Sequence, residues 1–136
     1  MNRAVQAVLM DASALLAPFQ LGIDFERWIN MLVDAKVRFY VLEDTLRELR
    51  SLSTSPGKIS SEAREALRLA ERYEAVPGAS ERRGDDGLIE AAMKHGYAVA
   101  TCDRSLRARL RDLKVPVFSP TGRRRARVEG LSRSRC

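Results

Sequence analysis

Residues 97–103 read Tyr-Ala-Val-Ala-Thr-Cys-Asp. The run carries no charge until Asp103, and Tyr97, Val99 and Thr101 favour extended backbone, so residues 97–101 are expected to form a strand. To its left, Gly84-Asp85-Asp86 opens a helix that continues through Lys94 and is closed by His95-Gly96. To its right a second helix is expected over about residues 104–112. Helix, strand and helix joined by short connections form the repeating unit of a parallel sheet covered on both faces. Asp103 falls just past the carboxyl end of the strand, at the edge where such sheets bind ligands.

The same pattern recurs at the start of the chain. Residues 4–10 (AVQAVLM) form an apolar run that ends at Asp11. Three N-terminal residues and this run superficially resemble a secretion signal, but the run is short and no small-residue cleavage site follows it, so it reads as the first strand. A turn or short helix begins at Ala12. Residues 25–35 have helical spacing, with Phe25, Trp28, Ile29, Leu32 and Val33 on one face and Asp24 as N-cap. Further strands are expected at 37–42 and 115–118, with helices at 44–52 and from Ser60 or Ser61 to about Ala75. Residues 53–58 read as a loop and 76–83 as a turn. The expected fold is α/β: a three-layer sandwich with a central parallel sheet of four to five strands and right-handed crossovers. One domain spans 1–120, and 121–136 is a basic tail or a short terminal strand near 127–129.

A chain of 136 residues supports one sizeable core. Its 45% apolar and 31% charged residues make a globular mixture, and no run is long enough to cross a bilayer. There are two cysteines and one histidine, with no CxxC or Cys/His spacing. Zinc chemistry and a Ser-His-Asp triad are therefore disfavoured, and the reducing cytoplasm is the natural compartment. The net charge of +6 is concentrated late in the chain. Arg104, Arg107, Arg109, Arg111 and Lys114 form one group, and Arg123, Arg124, Arg125, Arg127, Arg133 and Arg135 another. Such a basic flank suits a polyanion, with Arg104, Arg107 and Arg123–Arg125 expected on phosphate.

Topology brings Asp11 and Asp103 to one sheet edge, because each follows a parallel strand. Asp86 lies at the start of the helix feeding the 97–101 strand, and Glu48 lies on the helix after the second strand, so both reach the same mouth. Each acid also has an ordinary role open to it: Asp11, Asp86 and Asp103 as helix caps, and Glu48 as a surface residue. Together they suit a hard divalent cation, Mg²⁺ or Mn²⁺, which compensates clustered carboxylates and activates water for attack on phosphate. Ser13 and Thr101 are placed to donate hydrogen bonds to Asp11 and Asp103.

Four segments carry a family resemblance: Val8-Leu9-Met10-Asp11-Ala12-Ser13-Ala14-Leu15, Leu46-Arg47-Glu48-Leu49, Asp85-Asp86-Gly87-Leu88-Ile89, and Val99 to Leu106 (VATCDRSL). Over nearly its whole length the chain resembles the PIN-domain ribonuclease superfamily. The resemblance implies a PIN-like sandwich that hydrolyses RNA with Mg²⁺ or Mn²⁺ held by Asp11, Glu48, Asp86 and Asp103. Asp86 is preferred to Asp85 because it lies three residues before Ile89; Asp85 is then an accessory ligand. Two branches are implied: a ribosomal-RNA-processing branch with ribosome-assembly partners, and toxin nucleases held by an antitoxin. A homodimer is common in the family. The tandem Asp85-Asp86, the run from Ala100 to Arg111 and the ending Val115-Pro116-Val117 resemble the former branch more. A non-catalytic RNA-binding scaffold is the competing function. A haloacid-dehalogenase-type phosphatase would need an aspartate where Ser13 stands, and the order of acids does not fit a phospho-receiver.

Overall fold

The structure is a computed structural model, and it describes residues 7–33 and 36–120 together with the backbone of 126–129. Among the described residues, six strands and six helices alternate along much of the chain. The strands are β1 (Ala7–Met10), β2 (Arg38–Leu42), β3 (Glu74–Val76), β4 (Ala98–Ala100), β5 (Val117–Pro120) and β6 (Ala126–Glu129). The helices are α1 (Ala12–Gln20), α2 (Phe25–Leu32), α3 (Glu43–Ser53), α4 (Lys58–Ala70), α5 (Gly84–His95) and α6 (Arg104–Asp112).

The strands form one sheet in the order β3-β2-β1-β4-β5-β6. The first five are parallel, and β6 runs antiparallel along β5 at the edge. The chain therefore builds outward from β1 in one direction, then returns through α5 to build outward in the other. The order reverses between β1 and β4, and the crevice at that reversal is where an open α/β sheet accepts ligands.

Alternation along each strand divides the core into two apolar layers. Val8, Met10, Val41, Ala100 and Phe118 pack towards α1–α4. Leu9, Leu42, Val99 and Val117 pack towards α5 and α6, against Leu88, Ala91, Leu106 and Leu110. Both faces of the central strands are dry, which explains their near-continuous apolar sequence. Phe25 is fully buried, and Trp28 packs against the same layer. The three-layer α/β expectation holds, including the five parallel strands.

Two local expectations are corrected. Helix α4 stops at Ala70, and Glu74–Val76, read as helix end and turn, is strand β3, in register with Tyr40–Leu42 of β2. Nor do Ser60 and Ser61 cap α4. Gly57, with φ of 90°, occupies the cap position, and both serine hydroxyls donate back to carbonyls one turn earlier. The predicted strand and tail assignments at 4–6, 121–125 and 130–136 lie outside the described residues, and so do Arg123, Arg124 and Arg125. Among the described residues no helix is long and apolar enough to cross a membrane.

Candidate functional site

A cleft of about 550 Å³ opens at the carboxyl edge of the sheet, beside the β1/β4 reversal. Asp11, Glu48, Asp85 and Asp103 all line it. These acids come from the end of β1, from α3, from the first turn of α5 and from the residue before α6. Chain topology thus gathers these four carboxylates from distant positions around one space, with Asp44 of α3 beside Glu48.

Asp11 is the most firmly held. Its Oδ2 accepts hydrogen bonds from Ser13 Oγ and Thr101 Oγ1, both at 2.8 Å. Each hydroxyl is in turn fixed by a backbone donor: Cys102 N donates to Ser13 Oγ at 2.9 Å, and Asp103 N donates to Thr101 Oγ1 at 3.0 Å. Asp11 N donates to Ala100 O, locking the end of β1 onto β4. Ser13 and Thr101 therefore orient one carboxylate and, through Thr101, the backbone that carries the other. Asp11 stands at the N-cap position of α1 but its side chain makes no capping bond, so the carboxylate is committed to the two hydroxyls. Asp103 does cap its helix: Oδ1 accepts from Ser105 N and Leu106 N at 2.9 and 3.1 Å. The N-terminal end of α6 favours negative charge there.

Thr101 is fully buried. Thr101→Val keeps its shape and removes its hydroxyl, leaving the Asp103 amide without that acceptor. Unfolding free energy is expected to fall by about 1–3 kcal/mol, and divalent-ion affinity or activity by about 10–100-fold. Chemical denaturation and ion titration measure the two effects; a variant equal to the parent in both would remove Thr101 from the site.

Asp85 and Asp86 part company. Asp85 is half-buried and faces the cleft, whereas Asp86 is exposed on the other side of the α5 turn. There Asp86 accepts a 2.7 Å bond from Arg109 Nη2, tying α5 to α6. That guanidinium holds the Asp86 carboxyl below the ordinary carboxylate range. The sequence-based preference for Asp86 thus meets a correction in placement: the α5 backbone turns its neighbour inward. Gly87 helps set that rotation, because a Cβ there would stand 2.5 Å from the carbonyl oxygen of Arg82. Only glycine lets the strand of chain leading into α5 lie so close.

Electrostatics bind the cleft acids into one group. Partial burial, and then the charges of Asp11 and Asp85, raise Glu48 above its ordinary value. Partial burial, and then Asp11 and Asp103, raise Asp85, with Arg109 opposing. Among the described residues no three acidic, histidine or cysteine side chains already close on a point that would hold an ion. The acids ring the cleft instead. A hydrated hard cation, which keeps several waters between itself and carboxylate oxygens, suits that spacing and an oxygen-only donor set.

Sequence reading missed three charged cleft residues, Asp44, Arg47 and Arg83. Asp44 and Glu48 are four residues apart on α3 and share a face, which is the signal that points to Asp44. Of the expected phosphate contacts, Arg104 is exposed and Arg107 half-buried on α6, and neither lines the cleft.

Comparison with known proteins bears on the family and the fold. A family described as "PIN like domain" matches residues 8–123. Ribonuclease VapC9 from Archaeoglobus fulgidus is 41% identical over 81 residues, covering 59% of this chain and 58% of that protein. The chain thus spans under two thirds of that relative. The structure of the PIN domain endonuclease Utp24 superposes with a TM-score of 0.74 at 29% identity, covering 92% of each chain. With the family match running through β1, the cleft and β5, the chain belongs to the PIN-like domain family.

Proposed function

We propose that this chain is a divalent-metal-dependent endoribonuclease that hydrolyses RNA phosphodiester bonds in the carboxylate cleft. One observation carries the reading: Asp11, Glu48, Asp85 and Asp103 line a single open cleft at the sheet's reversal point. Two of them hold their protons more tightly, first because they are partly buried and then because the others are near. Such a group stores repulsion that a cation relieves. Similarity to a ribonuclease and to an endonuclease of the same fold supports RNA cleavage.

Asp11, Asp85 and Asp103 would hold Mg²⁺ or Mn²⁺, with Glu48 facing them from α3. When bound, such an ion lowers the pKa of a coordinated water and offsets charge on the phosphate. The protein's own share is positional. Ser13 and Thr101 fix Asp11, and the α6 backbone fixes Asp103, so both carboxylates are ordered before substrate arrives. Glu48, with its raised pKa, is suited to accept a proton from a water molecule in the cleft. Within this reading we place the chain with ribosomal-RNA-processing nucleases rather than toxins, supported by the tandem Asp85-Asp86 and the run from Ala100 to Arg111.

The test is cleavage of labelled RNA with Mg²⁺ or Mn²⁺ and again with a chelator. Internal cuts that require the ion are expected, and cleavage that persists in excess chelator overturns the metal-dependent mechanism. Ribosomal RNA precursor as the preferred substrate, without growth arrest on expression, is the outcome expected of the processing role.

A further inference from the structure

The cleft acids pose a problem for their own substrate, since RNA is a polyanion and they repel it. Among the described residues lining the cleft, the basic side chains are Arg47 of α3 and Arg83, which precedes α5. Both engage Asp44: Arg47 Nη2 bonds to Oδ1, and Arg83 Nη1 lies 3.4 Å from Oδ2. One carboxylate thus holds two guanidiniums beside each other, one oxygen apiece. The arginines remain well exposed, at 56% and 68%, while Asp44 beneath them is 20% exposed.

We propose that Arg47 and Arg83, braced by Asp44, are a phosphate clamp that grips the backbone of single-stranded RNA beside the cleft acids. The inference rests on the nuclease reading above and adds the residues that bring the polyanion to the site. A guanidinium offers five N–H donors in a fixed fork, so one amino group on Asp44 leaves others for phosphate oxygens. Bracing by Asp44 restricts both side chains beforehand, which reduces the ordering cost of binding. Placement is apt as well. Arg47 is next to Glu48 in sequence, and Arg83 is two residues from Asp85. The clamp therefore spans the same two walls, α3 and α5, from which those acids project.

Binding can be read without catalysis. The full-length Asp11→Asn chain is titrated against a fluorescent single-stranded RNA oligonucleotide in chelator, by anisotropy, over a series of salt concentrations. Each single-strand phosphate contact contributes a slope of about 0.7 in log K against log salt. Arg47→Ala and Arg83→Ala are each expected to lower the slope by about that amount and the affinity about tenfold or more. Arg47→Lys and Arg83→Lys retain the slope, which shows that charge rather than a folding defect is read. An unchanged slope in the double alanine variant overturns the clamp. So does a fall in thermal stability with the slope unchanged, which would make the arginines a strut between α3 and α5. A wild-type chain that binds in this manner but never cuts would refute the nuclease reading and leave the clamp standing.

Discussion

Asp85→Asn is expected to lower RNA cleavage by more than about 100-fold, beyond the loss typical for a residue that merely supports a metal ligand. Asp11→Asn is expected to match it, whereas Asp86→Asn stays near the parent rate. The adjacent aspartates differ by one step of about 100° around α5, and that step decides which of them meets the other acids. Asp85 lines the cleft and its proton affinity responds to Asp11 and Asp103. Asp86 lies outside, paired with Arg109 in an exposed bridge that solvent screens. Steady-state cleavage by the three variants, each checked for thermal stability, reads the contrast. A reversed ranking, with Asp86→Asn inactive and Asp85→Asn active, would put the spacing inferred from the family pattern above the geometry.

A second large effect joins pH to divalent ions. Glu48 and Asp85 titrate above their ordinary values of 4.5 and 3.8 because they are partly buried among like charges. Below those ordinary values the groups are protonated in folded and unfolded chains alike. As pH rises past them, the unfolded chain loses its protons first, so the folded chain binds more. Stability contributed by this pair is therefore full at low pH and is lost as pH climbs through the raised folded values. Asp86 has the opposite sign, its contribution being lost as pH falls below 3.8, outside that window. An ion that binds the ionised acids reverses the loss. Mg²⁺ or Mn²⁺ at about a hundred times its dissociation constant adds about 2.7 kcal/mol. Thermal unfolding is expected to show a rise of several degrees with the ion near neutral pH and a smaller rise near pH 4.5, the ordinary Glu48 value, where protons compete for the same oxygens. An equal ion effect at both pH values would show that the ion binds elsewhere.

Much of this site was legible because it depends on strand ends. Asp11 and Asp103 each terminate an apolar run, and parallel pairing of β1 with β4 makes them neighbours with no reference to side-chain detail. The same logic found Ser13 and Thr101. What remained hidden turns on rotation and register. Two aspartates in the first turn of a helix look alike in sequence, and only the approach of the Arg82 carbonyl to Gly87 shows which faces inward. Strand β3 is three residues long, with Glu74 and Ala75 exposed, so it carries no apolar alternation. Its extended form comes from pairing with β2, a tertiary cause that local propensity does not record. Arg47 and Arg83 were lost among 24 basic residues, because their distinction is a shared partner 39 positions from Arg83.

The bond from Thr101 to Asp11 spans 90 residues. Proteins emerge from the ribosome N-terminus first, so Asp11 is exposed long before the hydroxyl that orients it has been made. β1 can pair with β2 early, but its other neighbour, β4, arrives only when most of the chain has been translated. The nascent polypeptide consequently carries Asp11, Glu48 and Asp85 before Thr101 and Asp103 have been made. The strand ends that carry Asp11 and Asp103 therefore come together only when β4 inserts next to β1 and joins the two halves of the sheet.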